Sequence, residues 1–190
     1  MTPTLPTNTL AQQLLIAMPH LQDDFFSRSL VYLCGQDAAG AMGFIINKPS
    51  SLTLADLFEQ LDIPCSHPDV LARYVLQGGP VQTDIALILH SSPGHWPTSQ
   101  AVGPDLFVTG CKEILEAIAQ GKGPEHYLVI RGYAGWASGQ LEEEISQNAW
   151  LTAEASPALL FDDPYYRRWE NAGKSLGFDI HLLSSEAGHA

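Results

Sequence analysis

Residues 126–150, HYLVIRGYAGWASGQLEEEISQNAW, constrain the fold more than any other stretch of the chain. The apolar run Tyr127-Leu128-Val129-Ile130 leads into Gly132-Tyr133-Ala134-Gly135-Trp136, and a helical pattern follows from Gly139 to Asn148 with Ser138 at its opening. Glycine permits torsions and close approaches that a Cβ forbids, while the interleaved rings supply large apolar surfaces. The segment therefore reads as a strand, a glycine-rich turn and a helix, with the turn's backbone passing close to a ligand or to another part of the chain. Free N–H groups at a helix start attract anions. Here Glu142, Glu143 and Glu144 already complement the dipole, so packing of Tyr133 and Trp136 across the helix is the preferred reading.

The rest of the chain is built from short apolar runs punctuated by glycine and proline. Strands are expected at 14–19, 29–34, 41–47, 74–76, 85–90, around Val102, at 106–108 and at 127–130. The turn at 35–40 makes a hairpin of the second and third, and Pro49 is expected to stop the third. Thr53 with Asp56 predicts a capped helix burying Leu54, Leu57, Phe58 and Leu61 and closed by Pro64. Further helices are expected at 112–120, with Ile114, Leu115 and Ile118 inward, and at 165–176, while Leu159-Leu160-Phe161 is ambiguous. IALILH at 85–90 has almost no alternation and reads as the most buried strand. Strands outnumber helices without alternating strictly with them, so the predicted class is α+β: one domain over 1–190 with a mixed, mostly antiparallel sheet flanked by helices. Residues 1–12 read as a loose arm and 184–190 as a frayed tail.

Composition excludes several functions. Nine Lys and Arg against 21 Asp and Glu give a net charge of −12. Nucleic-acid binding requires a clustered basic footprint, and the basic residues here are scattered, the only adjacent pair being Arg167-Arg168. A helix-turn-helix could be imagined over 53–74, but Pro49 to Ala72 contains no Lys or Arg and does contain Asp56, Glu59, Asp62 and Asp69. Direct DNA binding is therefore not expected. No apolar run reaches the roughly 18 residues of a membrane span, and the first residues lack the basic start and apolar core of a signal peptide; no membrane association and a cytoplasmic location are expected. Cys34, Cys65 and Cys111 are widely spaced, without a CxxC pair, which argues against a disulfide framework or a structural zinc site.

Familiar catalytic and cofactor signatures fail. Gly173-Lys174-Ser175 mimics the end of a P-loop, but the required first glycine would fall at Arg168, inside a helical pattern. GxGxxG, GxSxG and HExxH do not occur. His20 with Asp23-Asp24, and His90 with His95, are not recognised metal-ligand spacings. No cofactor, metal or catalytic group is assigned. Cys111, at a helix start beside Lys112, has two features that would lower a thiol pKa, though no partner histidine can be named.

GYAGW followed by Gly139-Gln140-Leu141-Glu142, together with Gly78-Gly79-Pro80-Val81, resembles the YqgE/AlgH family (UPF0301) of bacterial proteins. The resemblance covers Leu14 to Leu176 and implies the same α+β class and a cytoplasmic compartment, without an established activity. Asn47-Lys48-Pro49 resembles the family's Asn-Arg/Lys-Pro motif, and Asp84 and His90 match family positions. The candidate ligand-binding positions are thus Asn47, Gly78, Gly79, Asp84, His90, Tyr133 and Trp136. Each also has a simpler reading: a turn tie, a tight turn, a structural histidine, core aromatics. Asp84 and His90 are six residues apart on one strand, about 20 Å, too far for a direct acid–base pair. The chain departs from the family at Arg131, where leucine is common, at Ile85-Ala86, where Arg-Gly is common, and at Gly110-Cys111. Arg131 either replaces a lost contact or pairs with a glutamate.

Two readings follow. One is a non-catalytic regulatory or interaction protein with a protein or small-molecule partner, affecting transcription only indirectly. The alternative is a hydrolase or transferase for a small substrate, with a pocket formed by Asn47, Gly79 and His90 under the Tyr133–Trp136 turn.

Overall fold

Punctuated apolar runs become strands wherever both faces can be covered. In the computed structural model, which describes residues 9–91 and 96–183, the strands are β1 (Gln13–Ala17), β2 (Leu30–Asp37), β3 (Gly40–Ile45), β4 (Pro49–Thr53), β5 (Tyr74–Gln77), β6 (Val81–Ser91), β7 (Gln100–Gly103), β8 (Leu106–Thr109), β9 (Tyr127–Ala137) and β10 (Trp150–Glu154). The helices are α1 (Leu54–Gln60), α2 (Pro68–Leu71), α3 (Lys112–Ala119), α4 (Gln140–Ser146) and α5 (Tyr165–Ser175), with a π-helical turn at Ala158–Asp162 and a 3₁₀ turn at Ile180–Leu182. The sheet runs β10-β1-β2-β3-β9-β6-β8-β7, with β5 joined to β9 and to β4. Every pair is antiparallel except β5–β9. The α+β class and the mixed, mostly antiparallel sheet are as the sequence implies.

Alternation fills three cores. On β1, Leu14 and Ile16 face the layer of α5, whose Trp169 and Ala172 pack there, whereas Leu15 and Ala17 face Trp136, Leu141 and Trp150. β2 repeats the pattern, with Leu30 and Tyr32 on the first side and Val31 and Leu33 on the second. Helices α1 and α3 cover Val75, Ile88 and Val129 in a third cluster. Helix α1 starts as its sequence dictates: Thr53 and Asp56 form a reciprocal capping box, and Leu54, Leu57 and Phe58 are buried.

The largest correction concerns β9. The glycine-rich segment is not a strand-to-helix turn, because the strand continues through it to Ala137. Leu128 and Ile130 face the α5 layer before Gly132, but Tyr133 faces it afterwards, while Ala134 and Trp136 face the other side. Gly132, with φ 74°, thus inserts a one-residue phase slip, which exchanges the faces of every side chain beyond it. The reversal comes later, at Ser138-Gly139, and α4 is preceded by a left-handed Gly139 without a side-chain cap.

Other differences have local causes. Pro49 opens β4 instead of ending the sheet, which is tolerated because β4 pairs with β5 alone. The β6 strand is exposed over its first half and buried only near its end, at Ile88–His90. Trp150–Glu154 forms an unforeseen edge strand against β1. Within the expected loose arm, Leu10 N–H donates to Gln36 Oε1 (2.7 Å) and Gln12 N–H to the Leu33 carbonyl (2.7 Å); residues 1–8 and the expected tail at 184–190 lie outside the described residues.

Candidate functional site

The family-like glycines meet at a strand crossing. Ile130 and Arg131 pair with Leu76 and Gln77 of β5 on one edge of β9, and with Leu87 and Ala86 of β6 on the other. The chain must therefore step across β9 between Gln77 and Val81. It does so through Gly78-Gly79, hydrogen-bonded from Gly78 N–H to the Arg131 carbonyl (2.8 Å) and from Ile45 N–H to the Gly78 carbonyl (2.9 Å). A Cβ on Gly78 would collide with Ile130 and the Gly132 carbonyl, one on Gly79 with the Tyr133 backbone, and one on Gly132 with the Gly79 carbonyl. Gly79 (φ 152°) and Gly132 also adopt torsions closed to other residues. Three glycines are thus the condition for two backbones to touch.

Beyond the crossing, β6 bulges. Val81 pairs with Tyr133 and Ala86 with Arg131, so residues 82–85 stand opposite Gly132 alone. All four are exposed, Asp84 among them. Ile85 is 43% exposed and Val81 36%, and Gln82 is left-handed (φ 48°). Two of the three positions where the chain departs from the family it resembles, Ile85-Ala86 and Arg131, lie in or beside this bulge. Arg131 forms no ion pair with a carboxylate among the described residues.

Asn47 and Lys48 pin a corner. Asn47 Oδ1 accepts from Leu30 N–H (2.8 Å) and its Nδ2 donates to the Arg28 carbonyl (2.9 Å), holding Arg28 at φ 53°. Lys48 Nζ donates to the Phe25 carbonyl, and burial, opposed by Asp23, lowers its pKa. His90 is fully buried. Its Nδ1 lies 2.9 Å from the Ser91 carbonyl and its Nε2 2.8 Å from Thr109 Oγ1. A carbonyl can only accept, so Nδ1 carries the hydrogen and Nε2 accepts from Thr109, whose oxygen also contacts Ser99 Oγ at 2.6 Å. Burial lowers the His90 pKa against the raising effect of Ser91, which favours this neutral form.

Trp136 belongs to an aromatic box that sequence reasoning did not foresee. Its Nε1 and that of Trp150 both donate to Glu144 Oε2, at 2.9 and 2.8 Å. Phe26 packs on both indoles, with centroids 6.1 and 5.6 Å away. Glu144 is thus an internal acceptor, not a surface charge serving the helix dipole. Burial pushes the Cys34 pKa up to about 12, and burial raises that of Cys111, outweighing the helix-terminal N–H of Ile114 that would lower it. The two features of Cys111 that would lower a thiol pKa are thus outweighed, which accords with its reading as an ordinary residue at a helix start.

These positions are not gathered in either of the two larger described cavities. Trp136 borders a depression of about 540 Å³ with Cys34 and Met42, while Asn47, Gly79 and His90 border neither it nor the second cavity, of about 620 Å³, beside Tyr32 and His126. The pocket expected from Asn47, Gly79, His90 and the 133–136 segment coincides with neither of these cavities, and the Asn47 and His90 side chains are engaged with Leu30, Arg28, Ser91 and Thr109. No group of three or more His, Cys, Asp or Glu among the described residues could hold a metal ion; the His90–His95 pair cannot be placed, His95 lying outside them. No described helix is long and apolar enough to cross a membrane.

Comparison with known proteins agrees with this architecture. A family described as AlgH-like matches residues 14–181. A UPF0301 protein of Chromobacterium violaceum is 48% identical over 182 residues, covering 96% of this chain and 98% of the relative. One from Saccharophagus degradans is also 48% identical over 182 residues, covering 96% and 89%. The solution structure of the AlgH protein from Pseudomonas aeruginosa superposes with a TM-score of 0.78 at 43% identity, over the whole of both chains. The crystal structure of DIP2367 from Corynebacterium diphtheriae, at 19% identity and a TM-score of 0.73 over 94% and 93% of the two chains, shares the fold.

Proposed function

The chain belongs to the AlgH-like family, and from that premise we propose that it is a cytoplasmic regulatory interaction protein that works by holding a protein partner. One observation carries this reading: the motif glycines build a crossing whose exposed product is the 82–85 bulge. Bulges re-aim side chains and interrupt pairing where a surface is used. This one leaves Val81 and Ile85 open beside the carboxylate of Asp84. Its complement is an apolar pocket edged by basic groups. Any influence on transcription runs through that partner, since duplex DNA would meet a net charge of −12 without a basic face.

The test is site-specific photo-cross-linking in cells, with the photoreactive residue at position 85 or, as a control, at Tyr166, which is 78% exposed and lies on α5. The expected result is a discrete adduct from position 85, absent from 166 and lost when Val81→Ser and Asp84→Asn are added. Equal adducts from both positions, or none from 85, would contradict the reading.

A further inference from the structure

The larger cavity, about 620 Å³, lies apart from the bulge and has a chemistry of its own. Its walls come from the start of β1, from β2, the end of β6, the β7–β8 turn, the residue before β9, and the stretch from the end of β10 into the π-helical turn. Convergence of so many elements makes a concave site of ordinary ligand size. Half-buried Leu106 and Phe161 supply apolar surface, backed by the buried Tyr32 and Leu160. The Tyr32 hydroxyl donates to the Val102 carbonyl (2.7 Å), so it offers the cavity no free polar group. His126 stacks on Phe161 at 5.5 Å and 24°, forming a flat aromatic wall.

The lining carries carboxylates and no Lys or Arg, beside the neutral polar groups of Gln12, Gln13, Ser91 and Ser156. Asp105 and Glu154 are exposed carboxylates bordering the cavity. Two more carboxylates flank the His126 ring, Asp162 at 3.8 Å and Glu125 at 4.0 Å. None of the nine Lys and Arg of the chain borders the cavity. A carboxylate or phosphate ligand would meet repulsion from Asp105 and Glu154 with no Lys or Arg to offset it, and a neutral apolar molecule would leave the acidic rim unused. A flat or chain-like apolar body with an ammonium end satisfies both features, with the aromatic wall also favouring a cation.

We propose that this cavity is a binding site for a small organic amine. It extends beyond the partner reading, using no residue of the bulge. The test is NMR titration of the full-length protein, following the methyl groups of Leu106 and Leu160, with phenylbutylamine and its isosteres phenylbutanol and phenylbutyrate. The amine is expected to shift both methyls saturably, the alcohol to bind at least about fivefold more weakly, and the carboxylate not to bind. Asp105→Asn with Glu154→Gln, both at exposed sites, should weaken the amine about tenfold while leaving the alcohol unchanged. Amine shifts that do not saturate, an alcohol or carboxylate that binds as tightly, or a double variant that binds the amine normally would each overturn the proposal. Ile85→Glu should keep full amine affinity, which separates failure here from failure of the partner reading.

Discussion

Gly132 illustrates how one residue serves both a local and a distant contact. Its left-handed torsion changes the phase of β9, and its missing Cβ admits the Gly79 carbonyl. Gly132→Ala and Gly79→Ala should each cost more than about 3 kcal/mol, since strained torsion and backbone collision act together. Ser138-Gly139 provides the control: nothing lies near a Cβ at Gly139, so Gly139→Asn, which tolerates the left-handed region, should be nearly neutral. Chemical denaturation of the three variants checks the order. A Gly79→Ala protein as stable as the parent would contradict the crossing. That glycines allow close approach is legible in sequence. Which backbones approach is not, because Gly79 and Gly132 are far apart along the chain and nothing local encodes their meeting.

Among elements, β9 shows where sequence reading succeeds and where it slips. Thr53-Asp56 and the apolar faces of α1 and α3 are local features, and they appear as expected. Gly132, Ala134 and Trp136 alternate as a strand should and are all buried, but glycine content pointed to a turn, and the tertiary partners β3 and β6 overrode that local preference. β10 was missed because its pattern is short and its identity depends on pairing with β1. The acidic run of α4 reads locally as serving the helix start, whereas Glu144 turns inward to two indoles. Glu144→Leu should therefore destabilise by about 2–4 kcal/mol, orphaning two N–H donors, while Glu144→Gln, which keeps an acceptor, should cost about 1 kcal/mol. Thermal denaturation, with tryptophan fluorescence reporting the box, checks this. Equal effects of Leu and Gln would mean that the carboxylate is not the acceptor that holds the two rings.

For the whole molecule, the crossing joins the β10-β1-β2-β3 half of the sheet to the β6-β8-β7 half through the one long strand both share. Gly78 and Gly79 form that junction, while Asn47 ties the corner before β2 and His90 ties β6 to β8, and the exposed bulge lies beside the crossing. Native-state hydrogen exchange tests this division most directly, since it needs neither ligand nor partner. The amides of Ile45, Gln77 and Gly78, which donate to the carbonyls of Gly78, Lys48 and Arg131, should exchange only through global unfolding, with the same denaturant dependence as the core of β2. The amides of residues 82–85 should exchange orders of magnitude faster. If the Ile45 and Gly78 amides instead open through a low-energy local event together with 82–85, the crossing is a moving part and not a lock, and the account fails.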